Sequence, residues 1–297
     1  MKPGIYLVHK EPGATSFAKV RSFMEEVRAA GIRRDKLPAC HGGALDPFAE
    51  GLLLILAGEA ARLMELLHPV PKTYQAEIAW GAETDNGDLH GRVVARGDPA
   101  VLAPALLEEV LRGFVGWRDQ VPPATSNKRV GGERAYQLAH RGEQVMLSPS
   151  RVYLHQASWL EHDLPRFSRL HLLCGGGYYL RALARDLGRA TGALGHLTGL
   201  RRTAIGPWKD PTGRVHLQGA QLYPWCASRE VSEKELARLR AREPIPRGAI
   251  EPPAWAPPMG WPDFERPIRG LAGGFIVAML AEREGQLVGS PVLRGPL

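Results

Sequence analysis

Hydrophobic and polar positions change period several times along this chain, and each change marks an element. Ile5–Val8 is an apolar run that reads as a strand, and Glu11-Pro-Gly-Ala14 turns the chain. Thr15 or Ser16 then offers a hydroxyl cap for a helix reaching about Ala30. Leu52–Leu56 is continuously apolar, as in a buried strand, and Gly58 breaks it before helical spacing takes over at Glu59–Leu67. Tyr74–Trp80 alternates like a strand, and Thr84-Asp-Asn-Gly-Asp88 is turn chemistry. Pro104–Arg112 has helical spacing and stops at Gly113, a residue suited to a left-handed helix stop. Leu170–Cys174 predicts a strand, Gly175–Gly177 a tight turn, and Tyr179–Ala190 a helix closed near Gly192.

Between Gln120 and Pro149, prolines, paired glycines and the cations Lys128, Arg129, Arg134 and Arg141 predict a partly helical excursion from the core. Ser232-Glu-Lys-Glu235 has the capping-box spacing of a short helix that ends before Pro244 and Pro246. Pro252–Pro262 holds five prolines and excludes regular structure, while Gly274–Leu280 and Gln286–Leu293 read as a final strand pair. This mixture predicts an α+β fold with one large and one small domain, the boundary falling near residues 215–230.

Bulk composition narrows the function. A chain of 297 residues with 44% hydrophobic and 23% charged residues buries an ordinary soluble core. A formal charge of +7 points to a polyanionic partner, nucleic acid before an acidic membrane surface. Three scattered cysteines give no disulfide framework and fit a reducing compartment. No CxxC pair or HExxH is present, no apolar run is long enough for a membrane helix, and the N-terminal residues lack a signal-peptide core. The expected location is the cytoplasm.

The densest candidate chemistry is His41-Gly-Gly-Ala-Leu-Asp46-Pro-Phe-Ala-Glu-Gly-Leu-Leu53. Asp-Pro is a strong helix-start signal, so Asp46 reads as an N-cap. A carboxylate at a glycine-flanked corner also reads as a reactive group, and the two roles are compatible. His41 is a lone histidine with no acidic partner nearby in sequence. Tyr74 starts a strand, either as packing or as a stacking platform for a base. The Gly175–Gly177 triplet matches no phosphate loop. Tyr179 and Arg181 are two apart and share a side in an extended entry. For Arg201 and Arg202 a solvated basic face and a binding role stand open. Asp85 and Asp88 lack the spacing of a calcium loop and read as a turn.

Taken in order, the segments resemble the TruB family of tRNA pseudouridine synthases. Lys10-Glu-Pro-Gly-Ala-Thr-Ser16 is similar to its KPxGxTS stretch and His41–Pro47 to its catalytic HxGxLDP motif. Gly58–Arg62, Lys72-Thr-Tyr74, Gly81–Gly91, the Gln120–Gly142 insertion, Cys174–Gly188 and Leu200–Thr203 resemble the blocks that follow. The resemblance covers roughly residues 3–208 and implies a mixed, mostly antiparallel sheet flanked by helices. It implies a catalytic domain at 1–225, an RNA-gripping thumb at about 120–150, and a divergent PUA-like RNA-binding domain at 226–297. It implies Asp46 as the essential aspartate, Tyr74 stacked on the flipped uracil, Tyr179 hydrogen-bonded in the site, and Arg181 orienting Asp46. His41, Arg62 and Leu200 would contact substrate. Arg62 stands where the family usually has lysine, Gly175 and Gly176 replace a serine and a lysine, and Tyr178 replaces a threonine.

The expected reaction turns a T-loop uridine of tRNA, conventionally position 55, into pseudouridine without guide RNA, cofactor, metal or obligatory protein partner, by a monomer. Isomerisation needs neither redox change nor hydrolysis, and the target base must leave its stack. Three rivals are a guide-RNA-dependent relative, a tRNA-folding chaperone, and a metal-dependent nuclease using Asp46, Asp85 and Asp88.

Overall fold

The structure is a computed structural model describing residues 1–126, 128–143 and 145–297. Asn127 and Gln144, inside the expected 120–150 insertion, lie outside the described residues. The strands in chain order are β1 (Gly4–Lys10), β2 (Ala39–His41), β3 (Glu50–Ala57), β4 (Lys72–Trp80), β5 (Ala82–Thr84), β6 (Val93–Arg96), β7 (Gly116–Gln120), β8 (Arg129–Val130) and β9 (Glu133–Arg134). They continue as β10 (Ser150–Asp163), β11 (Phe167–Cys174), β12 (Gly195–Ile205), β13 (Trp208–Lys209), β14 (Val215–Leu217), β15 (Ser228–Glu230), β16 (Ile245–Pro246), β17 (Ile268–Ala272), β18 (Phe275–Arg283) and β19 (Gln286–Val292). The α-helices are α1 (Ser16–Ala29), α2 (Pro104–Arg112), α3 (Ala135–His140), α4 (Leu180–Thr191) and α5 (Glu233–Arg240).

The chain divides into two compact units, Met1–Val70 with Gly206–Leu297, and Pro71–Ile205. In the first, β1 lies between β14 and β3, antiparallel to both, and β2 pairs with the far end of β3. Thr15 caps α1 by accepting from Ala18 N–H at 3.0 Å, as its hydroxyl predicts. Val20, Phe23 and Val27 of α1 then pack on Tyr6, Val8, Leu53 and Ile55. A second sheet runs β15-β17-β18-β19-β16, with β15 parallel to β17 and the other pairs antiparallel. Its core joins Leu239 of α5 to Val277, Leu280 and Leu287. The Ser232–Glu235 capping box forms as its spacing predicts.

In the second unit β12-β4-β11-β10-β7 is antiparallel throughout. Lys72, Tyr74, Ala76, Ile78 and Trp80 form the buried face of β4, so its alternation is real. Leu183 and Leu187 of α4 and Leu107 and Leu111 of α2 are buried core. Gly192 ends α4 in the left-handed conformation at φ 77°.

Three expectations are corrected and one open reading is decided. No helix follows Asp46: Ala49 N–H donates to Asp46 C=O at 3.1 Å, closing a turn at Pro47-Phe48 that leads straight into β3. The Asp-Pro pair serves a turn as readily as a helix start, and pairing of Gly51 with Lys10 decides for strand. Gly58–Leu67 is 3-10 rather than α-helical, interrupted at Leu63 (φ −105°, ψ 16°). Gly113 caps α2 in a right-handed conformation, φ −67°. Arg202 is buried at 1% exposure, not solvated.

Candidate functional site

In the first unit the surroundings of Asp46 are arranged by backbone hydrogen bonds and by two buried side chains, Ser16 and Lys10. His41 ends β2 opposite Ile55, and Gly42 N–H donates to Leu54 C=O at 2.8 Å. A Cβ on Gly42 would lie 2.5 Å from Leu67 Cδ1 and 2.8 Å from Leu56 Cδ1, so any side chain there must push those leucine methyls aside. Gly43 has φ 115°, which favours glycine and re-aims the chain toward Leu45. Leu45 is held by Ser16, whose Oγ accepts from Leu45 N–H at 2.8 Å and donates to Leu45 C=O at 3.2 Å. Gly13 N–H donates to Pro47 C=O at 2.8 Å.

Beneath this corner lies Lys10, fully buried. Its Nζ donates to Ala14 C=O at 2.7 Å, Glu11 C=O at 3.0 Å and Pro47 C=O at 3.2 Å. A buried ammonium is tolerated only when its donors are satisfied, and carbonyls of the 11–14 loop and the Asp46 turn do that here. The KPxGxTS-like and HxGxLDP-like segments are thus one construction. Asp46 itself is half-buried while Phe48 and Ala49 behind it are buried. The corner therefore has a rigid base and a partly open carboxylate. Arg62, by contrast, is 44% exposed and pairs with Glu59 at 2.8 Å. Such an exposed pair is worth little and a phosphate would compete for it readily.

The second unit brings Tyr74 and Leu200 together. Tyr74 of β4 faces Leu172 of β11 and Arg202 of β12, and Ala76 faces Leu200. All share the buried face with Lys72, which is opposite Cys174. Burial, reinforced by the like charge of Arg202, pushes the Lys72 ammonium down to about 7. Burial pushes the Cys174 thiol up to about 12. Tyr74 and Leu200 are 8% and 7% exposed, an apolar wall with a phenol in it.

Tyr179 and Arg181 stand at the start of α4. Tyr179 is the N-cap in extended conformation, and Arg181, 4% exposed, is the second helical residue. Arg181 Nη1 donates to Asn86 C=O at 2.8 Å and Thr125 Oγ1 at 2.6 Å, and Nη2 to Thr125 C=O at 3.2 Å. The 84–88 turn is built to offer that carbonyl. Asp88 Oδ1 accepts from Asn86 Nδ2 and His90 N–H, each at 2.9 Å, Asn86 Oδ1 accepts from Asp88 N–H at 2.9 Å, and Thr84 Oγ1 donates to Asp88 C=O at 2.9 Å. Gly87, at φ 78°, leaves 3.1 Å between a would-be Cβ and Arg181 Cβ. Asp85 is occupied by Arg92. Both aspartates thus serve the turn, and among the described residues no group of three or more His, Cys, Asp or Glu could hold a metal ion. Lys10, Lys72, Asn86, Gln120 and Thr125 were missed as site-supporting residues. Lys10, Lys72 and Gln120 each open a motif and Asn86 lies inside one, so these four carried a signal; Thr125 carried none of its own.

The fold is α+β; its candidate groups are a carboxylate in the first unit and a buried tyrosine and arginine in the second. Across 98% of this chain and 85% of the other, the fold matches a chain in a structure of an H/ACA RNP bound to a substrate RNA containing 2'-deoxyuridine, with a TM-score of 0.63 at 16% identity. The chain belongs to the TruB family of pseudouridylate synthases, whose N-terminal domain matches residues 33–180. It is 41% identical over 183 residues to tRNA pseudouridine synthase B of Nitrobacter winogradskyi, covering 62% of this chain and 51% of that one. It is 37% identical over 209 residues to the protein of that name from Bacteroides fragilis, covering 70% and 89%. With the Bordetella pertussis protein of that name the identity is 36% over 223 residues, covering 74% and 88%. The chain thus spans about half the length of the Nitrobacter relative and most of the other two. Among the described residues no helix is long and apolar enough to cross a membrane.

Proposed function

We propose that this protein isomerises a T-loop uridine of tRNA, position 55, to pseudouridine, acting without guide RNA. In that reaction the N1–C1′ bond of the uridine breaks, C1′ joins C5, and the C5 proton is released as N1 gains one. Asp46 is the reacting carboxylate, attacking the ribose or the uracil. Tyr74 stacks on the flipped base and takes part in removing the C5 proton. Tyr179 hydrogen-bonds in the site, and Arg181 keeps Asp46 ionised against desolvation. Leu200 lines the pocket, while His41 and Arg62 contact the RNA loop and its backbone. Residues 1–225 form the catalytic domain, with the thumb at about 120–150, and 226–297 a PUA-like RNA-binding domain. The protein works as a monomer in the cytoplasm.

The observation that carries this reading is the Asp46 corner. A buried ammonium, a buried serine and two constrained glycines fix a turn that carries a partly open carboxylate. The names of the relatives supply the substrate class, tRNA, and the charge of +7 fits it. The test is tritium release from a T-arm stem-loop carrying 5-tritiated uridine, with purified protein and no other RNA. Stoichiometric release from the position-55 uridine alone is expected. RNA binding without release would favour the chaperone reading, and release only with a guide RNA would favour the guide-dependent one.

A further inference from the structure

The insertion that leaves the core at Gln120 is tied at its root to both side-chain-bearing positions that α4 contributes to the site. Gln120, on the last residue of β7, is 1% exposed. Its amide grips the backbone of Tyr179 from two sides: Oε1 accepts from Tyr179 N–H at 2.9 Å, and Nε2 donates to Tyr179 C=O at 3.1 Å. One residue on, Val121 C=O accepts from Arg185 Nη2 at 3.1 Å. Thr125 then meets Arg181 twice, through its hydroxyl at 2.6 Å and its carbonyl at 3.2 Å. The Asn86 carbonyl takes the same Nη1 at 2.8 Å, so the guanidinium is held between a self-bonded turn and the root of the insertion.

The two grips differ in kind from the turn. The 84–88 turn is locked by its own hydrogen bonds and by Leu197 N–H on Gly87 C=O at 3.0 Å. The 121–126 segment is irregular and carries on into the basic insertion. Displacement of the insertion would therefore reach Arg181 and Tyr179 first through Thr125 and Gln120. A guanidinium is planar, so bonds on two of its edges fix the plane in which its remaining donors point.

We propose that Gln120 and Thr125 are positioning residues: they set the Tyr179 backbone and the Arg181 guanidinium for reaction, and couple the RNA-gripping insertion to the site. Neither touches substrate. The proposal rests on Tyr179 and Arg181 being site residues of the synthase reaction. The hydroxyl contact is charge-assisted, the stronger kind of hydrogen bond, and it is removed almost alone by an isosteric change.

The test uses full-length protein and the T-arm stem-loop. Thr125→Val is expected to lower kcat about tenfold with KM and RNA affinity within twofold of wild type. Thr125→Ser, which restores the hydroxyl, is expected to recover kcat to within twofold. Gln120→Met is expected to lower kcat by a similar factor. In an Arg181→Lys background Thr125→Val is expected to cost less than twofold, because its partner geometry is already gone. Nitrogen-15 spectra of the arginine side chains provide a readout without turnover: the Arg181 Nη protons exchange slowly in wild type and faster in Thr125→Val. Full turnover by Thr125→Val, additivity with Arg181→Lys, or losses confined to KM and melting temperature would each overturn the proposal. An unchanged Arg181 signal overturns it while the synthase reading stands. A wild type that releases no tritium overturns that reading, and the proposal with it.

Discussion

Replacing Lys10 by methionine removes one ammonium and keeps an unbranched stem of similar reach. The charge lost is fully buried and donates to the carbonyls of Glu11, Ala14 and Pro47 at 3.0, 2.7 and 3.2 Å. A hydrogen bond to a charged group contributes about 1.5–3 kcal/mol, so three of them contribute roughly 4–9 kcal/mol. Relief from burying an ammonium offsets several kcal/mol of that, while each carbonyl left without its donor costs about 1–3 kcal/mol, so the net loss is about 3–5 kcal/mol. At roughly 2–4 °C per kcal/mol for a unit of this size, the melting temperature falls by roughly 6–20 °C. The assay is thermal melting by circular dichroism, paired with tritium release at a temperature where both proteins are folded. Turnover is expected to fall as well, because Pro47 C=O is one of the three acceptors and Asp46 precedes it. A variant melting within about 2 °C of wild type would refute the reasoning.

Gly42→Ala is expected to cost about 1–3 kcal/mol by overpacking, since its Cβ would sit 3.1 Å from Leu54 Cβ as well as against two leucine methyls; urea unfolding measures it. The Glu235 carboxyl is pulled down to about 2, first by the Arg229 guanidinium, from an ordinary 4.5. Its contribution is present in full above about pH 4.5 and is lost as pH falls toward 2, so Glu235→Gln flattens the fall of stability across that window. Burial pushes the Cys174 and Cys226 thiols up to about 12. Burial raises the Cys40 thiol too, but Cys40 is only partly buried, so native protein at pH 8 is expected to offer Cys40 alone to a disulfide reagent, slowly, and all three thiols after unfolding, as counted by the released chromophore.

Much of the fold was legible because local and tertiary demands agree. The Thr15 cap, the Ser232–Glu235 box, the alternation of Tyr74–Trp80 and the Gly192 stop each form where the residue pattern places them. Asp46-Pro47 was misread as a helix start because the pair suits two local structures, and strand pairing from Lys10 to Gly51 chooses between them. Arg202 was open to a solvated reading because nothing local marks a cation on the covered face of a sheet; only its register opposite Tyr74 does. The contacts that support Arg181 and Tyr179 were invisible for a related reason. Asn86, Gln120 and Thr125 are 95, 59 and 56 residues away in sequence from the groups they hold, and three of those four contacts use backbone carbonyls. A carbonyl leaves no trace in a residue's identity.

The central claim is that the Asp46 carboxylate is the reacting group, and Asp46→Asn tests it most directly. The turn is made by the backbone, with Ala49 N–H on Asp46 C=O, and asparagine is as welcome as aspartate at the head of a turn. The substitution therefore leaves the corner, the melting temperature and T-arm affinity essentially intact while removing the anionic oxygens. Tritium release is predicted to drop by at least about a thousandfold, as expected when a covalent nucleophile is lost. Release within tenfold of wild type, from a folded variant that binds the T-arm normally, would contradict the account.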